Sequence, residues 1–402
     1  MMYKPQTQKP MENNTTIRRL GDFICEVNER NSNGFISLSQ GICNLKYFQN
    51  PRQVSATPEL DKIVRTGQFA YNRATTRNGD KISIALREGP DCTVSSAYCV
   101  FYITDENVID PHWLWLWFKR PDFDRYAIFK SHGSAHEFFE FETMCNVKLS
   151  VPPIEEQRAI VARHRAIEHK IDVNHRLIAA LEETARTIYR HTFIDNIDPE
   201  NLPQGWRIGT ISEIIDETLG GDWGKDEPIG NYLTKVRCLR GADITSARNG
   251  NITEAPIRFI LNKNLANRQL QKNDLVIEMS GGTPTQSTGR CVLINDELLR
   301  YSELPYICSN FCKTIKPSNG YATFLYATLQ DFMQKGIFFK YENSSNGIQN
   351  LDLEALSKEE GIIIAPINLI AEFSKHYNSI SLIQMRLGHE ISKLQNLTKA
   401  LL

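Results

Sequence analysis

Two stretches of this chain carry the same apolar stripe, 213 residues apart. In the first, Ile160, His164, Ile167, Ile171, Asn174, Ile178, Leu181, Ala185 and Ile188 follow at alternating steps of four and three. In the second, Phe373, Tyr377, Ile380, Gln384, Leu387, Ile391, Leu394, Thr398 and Leu401 do the same. That spacing is a coiled-coil seam. The entries match too, Pro153 falling on Pro366 and Ile154 on Ile367. Prolines are tolerated there because the first helical N–H groups need no intrahelical acceptor, and Glu155 and Glu156 suit the positive end of the helix dipole. About forty residues at 1.5 Å each make a rod of roughly 60 Å, so an apolar stripe of that length needs a partner. Two stripes in one register, each behind a domain-sized segment, predict an internal duplication. The expected class is α+β, with two duplicated globular domains separated by two long helices that pack as an antiparallel coiled coil in a pseudo-twofold arrangement.

The length of 402 residues suits two domains plus connecting helices. Nine cysteines without a CxxC pair point to unpaired thiols in a reducing compartment and away from structural zinc. The opening residues lack the apolar core of a signal peptide, and the longest apolar run, from Gly361, is too short to span a bilayer. A cytoplasmic location and no membrane partner are therefore expected. The net charge of −1 gives no general attraction to polyanions, so any nucleic-acid role must rest on local charge. Between Lys62 and Arg87, six basic residues (Lys62, Arg65, Arg73, Arg77, Lys81, Arg87) stand against Asp80 alone.

Taken in order, residues 1–14 read as a tail and 15–151 as the first domain. A central helix follows over 152–193, then a linker over 194–204, a second domain over 205–365 and a C-terminal helix over 366–402. The two domains also begin alike: Leu20, Asp22, Phe23 and Ile24 align with Ile211, Glu213, Ile214 and Ile215 at a shift of 191. Farther in, Ser96, Tyr98 and Cys99 match Ser309, Phe311 and Cys312 at the 213 shift, as Ser131 matches Ser344 and Phe138 matches Leu351. In the first domain GFISLSQG, KIVRTGQFAYNR, KISIALREG and TVSSAYCVFYI read as short strands between turns. Pro111 is placed to open a helix through Trp113, Trp115 and Trp117, although their alternation also fits a strand.

Candidate binding residues lie in the loops. Arg73, Arg77 and Lys81 recur at four-residue spacing in a Gly-, Asn- and Thr-rich stretch. Arginine can meet guanine O6 and N7 as a fork, and either base type can sit on phosphate; a solvated basic loop is the plain alternative. The matching stretch of the second domain, MSGGTPTQSTGR, offers Thr285, Gln286 and Arg290 instead, with Gln286 able to pair with adenine. It lacks the Lys and Ser/Thr of a P-loop, and an ordinary hairpin is the competing reading. Lys225, beside Trp223, is a further phosphate candidate. His132, with Ser134 and His136, sits just before the first rod; no metal or triad partner stands at diagnostic spacing, which favours DNA contact or packing. His164, Asn174 and Gln384 interrupt apolar seams and are candidates for fixing register.

VPPIEEQRAIV, from Val151, resembles the entry to the central helix in DNA-specificity subunits of type I restriction-modification systems (S subunits, the HsdS family). RRLGDFI from Arg18, QFAYNR from Gln68, NDLVIEMSGG from Asn273 and SSNGIQNLDLEAL from Ser344 support the likeness from residue 17 onward. PINLIAEF at the second rod lacks the EEQ signature. The resemblance implies a non-catalytic subunit whose two target recognition domains each read half of a bipartite double-stranded DNA site. The helices, with seam residues Ile160, Ile167, Ile171, Ile178, Leu181, Phe373, Tyr377, Ile380, Leu387, Ile391 and Leu394, would set the spacing. Glu155, Glu156, Gln157 and Arg158 would help dock two adenine-N6 methyltransferase subunits, and restriction or translocase subunits would join where present. No cofactor is expected in this chain: S-adenosylmethionine belongs to the methyltransferase partner, and ATP and Mg to a restriction subunit. The sequence has no GxGxxG after a strand, no Walker A motif and no NPPY or DPPY segment. The alternative of another class is a non-enzymatic, two-headed protein scaffold.

Overall fold

The computed structural model describes residues 16–51, 53, 57–74, 80–131, 138–251, 255–283, 285–345 and 348–401. By internal contacts the chain divides into two compact units, residues 1–168 with 397–402, and residues 169–396.

The duplication predicted from the seams is present in the four-stranded sheet of each domain and in its closing ribbon. In the first unit an antiparallel sheet runs in the order Ile24–Val27, Tyr98–Ile103, Phe69–Asn72, Ile84–Leu86. In the second, Ile215–Gly220, Cys312–Pro317, Leu275–Glu278 and Cys291–Leu293 repeat that order. Each domain is also closed by a two-stranded ribbon that pairs its first strand with its last: Thr16–Arg19 with Lys148–Val151, and Arg207–Thr210 with Gly361–Ile364. Two residues beyond each ribbon a long helix begins, Ile154–Phe193 and Ile367–Leu401.

Most of the strands expected in the first domain form. GFISLSQG does not become a regular strand: it runs irregularly, with a single bridge from Ser39 to Thr93, and Phe35 stands exposed. The tryptophan stretch is a helix, Pro111–Phe118, because Asp110 caps it by accepting from His112 N and Trp113 N at 2.9 and 3.0 Å and Pro111 occupies the first turn. That cap outweighs the alternation of three side chains.

Each unit has an aromatic centre. In the first, Phe69 stacks on Phe101 at 5.0 Å, and Phe118 meets Phe69 edge-on at 5.7 Å. Val161, from the start of the long helix, is buried in the same cluster. In the second, Phe193 meets Phe324 and Phe373 at 5.0 Å each, and Tyr189 lies beside them. A fully buried side chain of this size contributes roughly 1.5–3 kcal/mol, so these rings hold the last turns of one helix, the first turns of the other and the second domain together.

Within residues 169–396 the two long helices pack antiparallel. Asn174 meets Glu390, Glu182 meets Gln384, and Tyr189 meets Phe373, one number rising as the other falls. Within this unit the predicted seam residues, Ile171 to Ile188 and Phe373 to Leu394, are buried or half-buried. At Gly388 the second helix passes close to Asn249: a Cβ there would lie 1.9 Å from Asn249 O.

No described helix is long and apolar enough to cross a membrane. All nine cysteines are free thiols. Burial pushes Cys92 and Cys291 up to about 11 and Cys99 up to about 12, which keeps these thiols protonated and unreactive near neutral pH.

Candidate nucleic-acid interface

The basic excess of the first domain shrinks once the chain is folded. Lys62 is buried, and burial lowers its affinity for a proton. Arg65 is held by Glu29 at 3.0 Å and Asp91 at 2.9 Å. Arg87 is buried, donating to Pro90 O and to Gln40 Oε1 at 2.7 Å beneath the Phe48 ring. Local charge counting missed these pairings because Glu29, Gln40 and Asp91 come from other strands and turns. Among the described basic residues of this stretch, Arg73 and Lys81 remain as candidates; Arg77 and His132 lie outside the described residues.

Arg73 follows the strand Phe69–Asn72 at the corner of the sheet. Its Nε donates to Ala97 O at 3.2 Å, its Nη1 lies 3.5 Å from Glu140, and its guanidinium sits 5.8 Å from the centre of the Phe138 ring. The side chain is therefore propped from three sides and still partly open to solvent. Lys81 is half-buried, next to Ile82, whose N–H donates to Asp124.

The second domain builds the same corner with other chemistry. Met279 stands where Arg73 does: Met279 O accepts from Leu351 N at 2.8 Å, as Arg73 O accepts from Phe139 N at 2.9 Å. Met279 N donates to Phe311 O in the turn equivalent to that of Ala97. Phe311 itself is 62 % exposed, whereas its counterpart Tyr98 is packed and accepts from Ile42 N. Around Met279 a small sheet of Ser280–Gly281, Ile348–Leu351 and Glu342–Ser345 presents amides and hydroxyls. Ser280 Oγ donates to Asn350 at 2.5 Å. Thr283 and Gln286 close a tight turn, Thr283 Oγ1 accepting from Gln286 N at 3.0 Å and from Thr285 N at 3.3 Å. The exposed Thr285 and Gln286 sit at its tip.

Arg290, expected on DNA, is placed differently. Its Nε and Nη2 fork onto buried Glu278 at 2.8 and 2.5 Å. That contact raises the guanidinium above its ordinary range. The pair neutralises a carboxylate inside the sheet, and leaving Glu278 unpaired there would cost several kcal/mol, on the order of 3–5. Arg290 is a structural residue.

Lys225 is exposed, its Nζ 5.6 Å from the Tyr232 ring. Its turn is organised by Arg258, a residue without a sequence signal. Arg258 stacks at 4.2 Å on Trp223, donates to Trp223 O at 2.8 Å and pairs with Asp226. Gly224 is required here: its φ is +60°, and a Cβ would lie 2.4 Å from Phe259 O.

At the entry of the first long helix Glu155, Glu156 and Arg158 are exposed, but Gln157, expected on the same docking face, is wholly buried. Its amide accepts from Asp110 N at 2.9 Å and donates to Val108 O at 2.9 Å and Pro152 O at 2.8 Å. Gln157 thus ties the helix entry to the cap of the tryptophan helix. Among the described residues no group of three or more His, Cys, Asp or Glu side chains is placed to hold a metal ion.

Duplicated α+β domains, each clasped at a ribbon and followed by a long helix, carry equivalent corners of unlike chemistry. Residues 57–183 match the family described as Type I restriction modification DNA specificity domain. Over that stretch the chain is similar to the DNA-specificity domains of type I restriction-modification systems. Its fold is that of the type I restriction-modification S subunit from M. genitalium, with a TM-score of 0.58 at 13% identity over 99% of this chain and 98% of that one. The HsdS subunit from Thermoanaerobacter tengcongensis is 17% identical over 100% of this chain and 98% of that chain, with a TM-score of 0.40. No curated protein sequence matches significantly.

Proposed function

We propose that each domain reads one half of a bipartite double-stranded DNA target, while the paired helices fix the distance between the halves and seat two adenine-N6 methyltransferase subunits. The observation that carries this reading is the shared corner. One framework presents the propped Arg73 in the first domain and a neutral set (Met279, Gln286, Asn350, with exposed Phe311) in the second. An arginine fork suits guanine, and amides suit adenine. Two different half-sites read by one fold need this combination of constant frame and variable edge. Lys81, Lys225 and Thr285 act beside them as phosphate or base contacts. Exposed Glu155, Glu156 and Arg158 form part of the docking face. S-adenosylmethionine would be held by the methyltransferase partner, and ATP and Mg by a restriction subunit where one joins.

The test is reconstitution with the cognate modification subunits and genome-wide mapping of N6-methyladenine. A single bipartite motif with a fixed gap is expected. An assembled complex that methylates without a bipartite motif would overturn the reading, and a chain that binds proteins but no DNA would make it a two-headed scaffold.

A further inference from the structure

Within residues 169–396, a cavity of about 190 Å³ opens among the first long helix, the second long helix and the second domain. Arg248, the last residue of the short helix Ile244–Arg248, lines it. Its Nε donates to Cys291 O at 2.9 Å, and among the described residues its terminal amines have no acceptor. Tyr326 and Tyr377 line the same space, their rings edge-on at 6.1 Å, and neither hydroxyl has a hydrogen-bond partner among the described residues.

The other charges of the lining are engaged. Arg186 pairs with Glu183, Asp331 takes Lys335 at 2.6 Å with Arg190 at 3.5 Å, and exposed Glu182 accepts from Gln384 at 2.9 Å. Arg248 makes no close ion pair among the described residues, and Glu182 is the lining acid whose charge reaches it. The planar fork of a guanidinium matches an oxyanion. The volume falls below the roughly 300–1,000 Å³ of pockets for drug-sized ligands, which argues against a nucleotide.

We propose that this cavity binds a small oxyanion, a phosphate or a short carboxylate, gripped by Arg248 between Tyr326 and Tyr377. The anion accepts from the two terminal amines of Arg248 and from both phenols. Because both long helices and the second domain line the cavity, occupancy ties them together and stabilises the unit by linkage.

The test is thermal unfolding of the full chain during titration with sodium phosphate, and separately sodium acetate, against sodium chloride at matched ionic strength. A saturating rise in Tm is expected with phosphate or acetate and not with chloride; whichever anion gives it identifies the ligand chemistry. Arg248→Gln should abolish the rise. Since that change also disturbs the bond to Cys291 O, the double variant Tyr326→Phe/Tyr377→Phe, which keeps the rings, should weaken apparent affinity about tenfold, as expected for roughly 1.4 kcal/mol of lost hydrogen bonding. No saturating shift in the unaltered protein, or equal shifts in it and the double variant, would overturn the proposal and leave a cavity that holds only water.

Discussion

Asn174 on the first long helix donates its side-chain amide to Glu390 on the second at 2.8 Å, while its own Oδ1 is buried with no donor. Glu390 also lies 3.5 Å from Lys170. With the Gln384 contact to Glu182, this bond marks the register of a largely apolar seam, and half of the Asn174 amide remains unsatisfied. Such residues favour one alignment at a cost in stability.

Asn174→Leu should therefore stabilise the unit by about 1–3 kcal/mol, the cost of one unsatisfied buried polar group. It should also loosen the preference for one register. Urea denaturation would measure the first effect, and cysteine cross-linking between the helices the second. A destabilised variant with unchanged register would show that Asn174 serves packing alone.

Gly388→Ala should be costly although alanine is the better helix former. The added methyl would sit 1.9 Å from Asn249 O, so the loop or the helix has to move. Overpacking of this kind costs about 1–3 kcal/mol. The expected result is a fall in Tm with helical content retained in circular dichroism; an unchanged Tm would mean that the loop at Asn249 yields freely.

Arg73→Ala should weaken DNA binding by the assembled complex and relax preference in one half-site only. A lost bidentate base contact is worth about 1–3 kcal/mol, or roughly 5- to 150-fold in affinity. Lys225→Ala, as a phosphate contact, should lower affinity for all sequences alike and reduce the slope of log K against log salt by about one. Fluorescence anisotropy over a salt series with variant half-sites separates the two. Uniform loss across half-site variants for Arg73→Ala would reassign it to the backbone.

His389 stacks on Tyr301 at 4.5 Å, and burial, aided by Lys393 and opposed by Glu297, holds its imidazole below the ordinary value. The native state therefore binds fewer protons than the unfolded chain between the two values. The stability it contributes is present above the ordinary value of about 6.5 and is lost as pH falls through the folded value. Midpoint denaturant concentration should drop on acidification from about pH 7 to 5, and His389→Phe should flatten that dependence. An NMR titration midpoint for His389 above that of the free imidazole would refute the sign.

The duplication was legible in the sequence because period and register survive without knowledge of contacts: Phe373 and Ile160 announce themselves by spacing alone. Ile211 echoes Leu20 for the same reason. Side-chain fate was not. Arg65, Arg87 and Arg290 look like their neighbour Arg73 in the sequence, and what separates them is whether Glu29, Gln40 or Glu278 arrives from another strand or turn. Gln157 reads as part of an exposed polar entry until Val108 and Asp110 close over it. Arg258, which shapes the Lys225 turn, carries no signal because its partner Trp223 is distant in the chain.

The ribbons Thr16–Arg19 with Lys148–Val151 and Arg207–Thr210 with Gly361–Ile364 bring the start and the finish of each domain to one place. Each long helix starts two residues later, at Ile154 and at Ile367. The direction in which a helix departs is thereby set at a short clasp, helped by the helix's own buried entry residues, Gln157 and Val161 in the first unit and Ile370 and Phe373 in the second. A domain interior can lengthen, shorten or be exchanged entire, and the helix leaving the clasp still begins from the same doorway.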